Sequence, residues 1–166
     1  PEVRISNTLI LGVPETPLSA TAIGSGGPQI TDDKLPPLVD AAIARWEAAG
    51  VTEQQLAVLR GLTVSVTDLP DGYVGASLGN TVLLDRDAAG NGWFIDSTPR
   101  DDSEFVFDAD SGQLHVTADR TAGTLDALTA LMHEFGHALG LPDLPASAGQ
   151  NRLMFHRLEP DVRRLP

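Results

Sequence analysis

Cysteine is absent from this 166-residue chain. That excludes disulfide staples and thiolate metal sites, so any bound metal falls to His, Asp or Glu. Long apolar runs are missing too. The richest stretch, residues 125–141, is broken by Asp126, His133, Glu134 and His137, and nothing approaches the roughly 18 residues needed to cross a bilayer. Positive charge is scarce: 11 Lys and Arg stand against 23 Asp and Glu, a net charge of −12. Such a surface repels phosphate backbones, which argues against a nucleic-acid partner, and its plain meaning is solubility. The chain opens Pro1-Glu2-Val3 without an initiator Met or a leader pattern, so a mature product or a piece of something larger is expected.

What is present is ordinary globular composition, 42% apolar and 20% charged, in a length that suits one core. A single, monomeric domain over residues 1–166 is expected. Its first 30 residues hold a strand over 4–13 and then read partly as loop or linker, because Pro14, Pro17 and the Gly24-Ser25-Gly26-Gly27-Pro28 cluster are turn formers. Leu35, Leu38, Val39, Ala42, Ile43 and Trp46 fall at the spacing of one helical face. Thr31, Asp32 and Asp33 offer capping oxygens ahead of them, Pro36 and Pro37 fit only a first turn, and Gly50 ends the helix. A shorter helix is expected from Thr52 to Leu59, stopped by Gly61.

The middle of the chain reads as β structure. Residues 62–69 alternate and end at Pro70-Asp71-Gly72. Residues 73–78 and 81–84 flank Gly79-Asn80, and 105–108 and 113–117 flank Asp110-Ser111-Gly112, so two hairpins are expected. Between them, residues 85–103 are rich in Gly, Asp and Pro and read as a long surface loop. A last helix is expected over 125–139, with Thr124 as its cap, Asp126 in its first turn, and Gly140 and Pro142 as its terminators.

That helix carries the chemistry. His133 and His137, four residues apart, project from one face one turn apart, and two imidazoles so placed can reach a single zinc ion. Glu134 follows the first histidine and points beside such a metal, where it can take a proton from water and pass it to a leaving amine. A catalytic zinc has three protein ligands and keeps one open position. Gly140 can take the positive φ that turns the chain back, and Asp143, three residues on, is the candidate third ligand. A bare His-x-x-x-His pair is more often surface decoration, and Asp143 alone could cap a turn. The ordered set is what carries weight.

His133, Glu134, His137, Gly140 and the later Leu153-Met154-Phe155 resemble the metzincin pattern of zinc metalloproteases, His-Glu-x-x-His-x-x-Gly-x-x-His with a methionine turn. Asp143 stands where most members have a third His, a variant similar to the small secreted bacterial proteases called snapalysins. The resemblance is specific over residues 125–166. Upstream, the element order is similar to that of matrixins and serralysins, and the segment around Gly92-Trp93-Phe94 looks like metzincin-like parts of very large bacterial secreted proteins.

The resemblance implies an α+β fold, a small twisted mixed β-sheet packed on two main helices, with the active-site helix followed by a short C-terminal subdomain holding the methionine turn. It implies a secreted zinc endopeptidase with one catalytic zinc on His133, His137 and Asp143, Glu134 as general base and acid, and a protein or peptide substrate. Met154 would form a hydrophobic floor under the zinc. The substrate would lie extended beside an edge strand, either residues 73–78 or their hairpin partner. His156 stands where astacins and serralysins have a Tyr, and is the candidate auxiliary group. A carboxylate ligand also lowers the net charge at the metal relative to three imidazoles, so water there is less acidified.

Other readings stay open. The domain is then a protease for its own precursor or for one partner, or a zinc-bound inactive module of a large exported chain. A gluzincin arrangement would take Glu159 as third ligand, against the early break at Gly140 and Pro142. Asp85-x-Asp87 and Asp108-x-Asp110 lack the twelve-residue calcium-loop spacing, and ordinary turns explain them. His115 is expected to make a local hydrogen bond, and Met132 and Trp46 to pack in the core.

Overall fold

A computed structural model describes residues 16–117 and 123–166; the strand expected over 4–13 lies outside the described residues. The chain is mixed α+β, with three α-helices among the described residues and a mixed sheet. Helix α1 spans Leu35–Ala48, α2 Glu53–Arg60 and α3 Ala127–Ala138. The main sheet is built from β1 (Leu18–Ala20), β2 (Thr63–Thr67), β3 (Tyr73–Leu78), β4 (Thr81–Asp85) and, from the end of the chain, Arg157–Leu158.

The apolar stripe of α1 is buried at Leu35, Leu38, Ala41, Ala42 and Trp46, with Val39 and Ile43 packed at its margin. Its start differs from expectation. Neither Thr31 nor its neighbours cap the helix by a side chain; a single 3-10 turn at 32–34 leads in, and the Asp32 carboxylate accepts from the Val66 N–H of β2 at 2.9 Å. Helix α2 is capped as the sequence indicates: Thr52 and Gln55 form a reciprocal capping box, and Gly61 closes the helix.

Strand β2 is parallel to β4, β4 is antiparallel to β3, and β3 is antiparallel to β1, which is parallel to Arg157–Leu158. The β3–β4 hairpin turns at Gly79-Asn80, where Gly79 takes a φ of 61°. The expectation that β3 or β4 forms a sheet edge fails. The order runs β2, β4, β3, β1, Arg157–Leu158, so both lie inside the sheet, because β2 pairs with the outer side of β4 and β1 with the outer side of β3.

The Gly-rich cluster after β1 is not a linker. Gly24 N–H donates to Ala89 O (3.0 Å) and Gly26 N–H to Gly90 O (2.7 Å), while Trp93 N–H donates to Pro28 O (2.9 Å). A Cβ on Gly24 would stand 2.2 Å from Gly90 O and one on Gly27 2.6 Å from Asn91 O. Glycine here permits backbone to lie against backbone.

For the same reason residues 85–103 are not a surface loop. Ala88, Trp93 and Asp96 are buried, Trp93 donates its indole N–H to Asp85 O at 2.8 Å, and β5 (Trp93–Phe94) pairs in parallel with β8 (Leu125–Asp126). Strands β6 (Phe105–Asp108) and β7 (Gln113–Val116) form the second expected hairpin, joined by β10 (Val162–Arg163). Arg157–Leu158 completes the set as β9.

Helix α3 begins later than its pattern suggests. Leu125 and Asp126 are extended and paired with β5, and Asp126, not Thr124, is the cap, accepting from the Thr129 N–H (3.1 Å) and hydroxyl (2.6 Å). Every residue from Ala127 to His137 is buried. It is a central helix, packed on α1 and the sheet, with the Trp46 indole N–H donating to Met132 O at 3.1 Å.

Candidate metal centre

His133 and His137 lie on one side of α3, and their Nε2 atoms are 3.0 Å apart. The helix end supplies the rest of the geometry. Gly140 (φ 84°) donates to His137 O, and Leu141 donates to Gly136 O. These are the paired bonds of a Schellman motif, which only a residue at ease in the left-handed region closes without strain. The turn also presents the Leu141 carbonyl to His137 Nδ1 at 2.9 Å. Beyond it, Leu144 N–H donates to Met154 O (2.8 Å) and bridges Phe155. Asp143 is thereby held with Oδ1 3.5 Å from His133 Nε2 and 3.4 Å from His137 Nε2.

The three residues expected to be ligands therefore converge. Their ligand atoms all lie within 4.8 Å of one another. The protonation of the rings follows from their partners. His133 Nδ1 faces Leu153 O at 2.8 Å, and His137 Nδ1 faces Leu141 O. A carbonyl oxygen only accepts, so each Nδ1 carries a hydrogen, and each ring turns its Nε2 inward. Two Nε2 atoms and a carboxylate oxygen facing one point need a proton or a metal cation between them. Asp143 Oδ1 and both Glu134 oxygens are buried without a hydrogen-bond partner, which is uncommon unless a group outside the polypeptide completes the site. The donor set, two imidazoles and one carboxylate with carbonyls orienting the rings behind them, could hold a metal ion.

Within the polypeptide alone, a proton on His137 answers this convergence. Burial opposes a charge on His137, but the facing Asp143 and the Glu134 charge outweigh it and raise its pKa to about 9. Burial likewise opposes ionisation of Asp143, yet the two imidazoles hold its carboxyl well below the usual range. Glu134 goes the other way: complete burial pushes its carboxyl up, against the pull of His133 and His137.

Glu134 sits between α3 and the sheet. A Cβ on Gly75 would meet its Oε1 at 2.7 Å, and the Leu18 backbone amide of β1 is turned toward it. Met154 is buried against α3, where its Sδ would stand 2.4 Å from a Cβ on Gly136, between the two histidines. His156 is not part of the three-ligand group; its ring rests on Phe155, centroids 4.8 Å apart. Glu159 also lies outside the group and faces Arg164 at 3.8 Å. His115 makes the local contact expected of it, 3.1 Å from the Ser111 hydroxyl. Asp85 accepts from Leu69 and Ala89 N–H groups, and Asp108 from Asp110 N–H and the Ser111 hydroxyl, so both carboxylates serve turns.

Sequence reasoning missed the charge network at the start of α3. Arg163, fully buried, pairs with Asp126 (2.9 Å), Asp96 (2.8 Å) and Asp102 (3.2 Å), and Asp102 also pairs with Arg45 (2.8 Å). The one signal was the Arg163-Arg164 doublet in an acidic chain. It missed as well the carbonyls of Leu141 and Leu153, which carry no residue-type signature.

No protein-family model matches the chain, and no curated protein or solved structure matches it.

Proposed function

We propose that this protein is a zinc-dependent endopeptidase of the metzincin type, with the metal on His133, His137 and Asp143 and Glu134 as general base and then acid. The observation that carries the reading is the convergence of the two Nε2 atoms and Asp143 Oδ1 beside a buried carboxylate without a hydrogen bond. The methionine at the foot of α3 and the Gly140 turn support it.

When bound, zinc supplies a Lewis acid that acidifies water and polarises the scissile carbonyl. The chain's own residues do the proton work. Water adds across the peptide C–N bond, its oxygen going to the carbonyl carbon. Glu134 takes one proton from that water and delivers it to the leaving nitrogen, so a carboxylic acid and an amine result. A carboxyl raised by burial is a stronger base than an exposed one and a competent acid in the second step. Leu153 O and Leu141 O fix the ring orientations throughout.

The test joins metal analysis to an assay on casein. About one equivalent of zinc per chain is expected, with cleavage abolished by a chelator and by Glu134→Ala. One observation favours a second reading, a zinc-holding module without turnover: Glu134 is wholly buried. A zinc-loaded protein that cuts neither casein nor its own precursor establishes that module and ends the protease reading.

A further inference from the structure

A base that must meet water and a carbonyl carbon has to be reachable. Glu134 is not: its exposure is 0%, and Leu18 in β1 is only 1% exposed above it. Asp143, with 19% of its side chain exposed, gives the ligand cluster its contact with solvent. The elements around the carboxylate are α3 itself, β3 at Gly75 and β1 at Leu18. Helix α3 is the centre of the core. Strand β3 is tied along Gly75, Ala76, Ser77 and Leu78 to β4. Strand β1 is the weak member. It has three residues, faces β3 only at Leu18 opposite Gly75 and Ser19 opposite Tyr73 with a register slip between them, and on its other side pairs with β9 only at Ser19 and Ala20.

We propose that β1 is a built-in plug, lying on the edge of β3 that an extended peptide chain would otherwise occupy and sealing Glu134 until it is displaced. The backbone argument is direct. Once β1 leaves, unpairing the two-residue β9 with it, the main-chain groups of β3 at Tyr73 and Gly75 face outward beside Glu134. An exposed strand edge recruits an extended chain by the same ladder of hydrogen bonds. Gly75, having no side chain, lets that chain and the carboxylate approach one another. β1 is antiparallel to β3, so a segment of this chain is already seated there, and occupancy by a second peptide requires it to leave. The apparent affinity for such a peptide falls by the fraction of molecules that are open. This proposal rests on the reading of Glu134 as a base beside a metal.

The experiment tethers the plug. The chain has no cysteine of its own, so Ser19→Cys with Tyr73→Cys, residues directly opposite across β1 and β3, places one disulfide within the reach that opposed strand positions allow. The full chain is loaded with zinc and read in two ways, oxidised and after reduction by a phosphine. The first is anisotropy of a labelled peptide with the sequence of residues 16–23; the second is casein cleavage. The reduced protein is expected to bind the peptide at least about tenfold more tightly than the oxidised one, with cleavage in the same order. Equal binding in the two forms, or no binding in either, overturns the plug. If reduction restores peptide binding but neither zinc-loaded form cleaves, the plug stands and the protease reading falls. Leu18→Asp gives a second route, loosening β1 by charge; if that variant does not fold, the tether still decides.

Discussion

Gly75 in β3 and Glu134 in α3 are neighbours so close that a Cβ on the glycine would stand 2.7 Å from Glu134 Oε1 and 3.0 Å from its Cγ. The contact couples the position of the proposed base to the backbone of the sheet. Gly75→Ala must displace the carboxylate, since the strand is held by β4. Turnover is expected to fall on the order of 100-fold, as for an angstrom-scale misplacement of a reacting group, while bound zinc stays at the wild-type level. Wild-type turnover in the alanine variant would remove Glu134 from the reaction.

Of the two candidates for a third ligand, Asp143 and Glu159, the structure brings Asp143 to the histidines. Asp143→Ala is expected to weaken zinc by more than the roughly 10–100-fold typical of losing a partner behind a ligand, and Glu159→Ala to leave it unchanged. Equilibrium competition with a fluorescent chelator measures both. Retained zinc in the Asp143 variant would mean that another group completes the site.

Arg163 is, among the described residues, the cation that pairs with Asp126 and Asp96 inside the protein, with exposures of 0% for Arg163 and 0% and 2% for the Asp96 and Asp126 side chains. Arg163→Met leaves both carboxylates without their countercharge, a loss of about 3–5 kcal/mol. Because Asp126 is the cap of α3, the helix that carries the ligands starts from this ion pair. Urea denaturation of the metal-free protein is the measurement, and a change under about 1 kcal/mol would show that the carboxylates find other partners.

Asp102 supplies a pH dependence. Burial opposes its charge, but hydrogen bonds from Arg45 and Arg163 prevail, so its carboxyl lies below the ordinary value of 3.8. A group depressed in the folded state stabilises it fully above the unfolded pKa and loses that contribution as pH falls through the folded one. Asp102→Asn is therefore expected to be less stable than the wild type at neutral pH, with the gap closing below pH about 4. A gap that keeps its size down to pH about 2 would assign it to lost packing instead.

Much of the site was legible in the chain because helical geometry is local. Four residues on one helix bring His133 and His137 together whatever surrounds them, and Gly140 followed by Asp143 fits one kind of turn. The same holds for the Thr52 cap and the two hairpins, which depend on near neighbours only. Where the reading failed, the cause was pairing at long range. The glycines at 24–27 looked like a linker because glycine signals flexibility and close backbone approach alike, and only the partner at 89–92 distinguishes them. Residues 85–103 looked exposed because Asp and Gly dominate them, although Trp93 pulls the segment into the core. Asp126 looked like a first-turn anion and is instead a cap, held by an arginine 37 residues away.

The chain by itself indicated the candidate ligand set, the candidate base and the turn between them, since these follow from spacing along one helix and its end. Only the tertiary structure decided that Glu134 is sealed. That depends on β1 folding back beside β3, a contact between residues far apart in sequence, which no local pattern encodes.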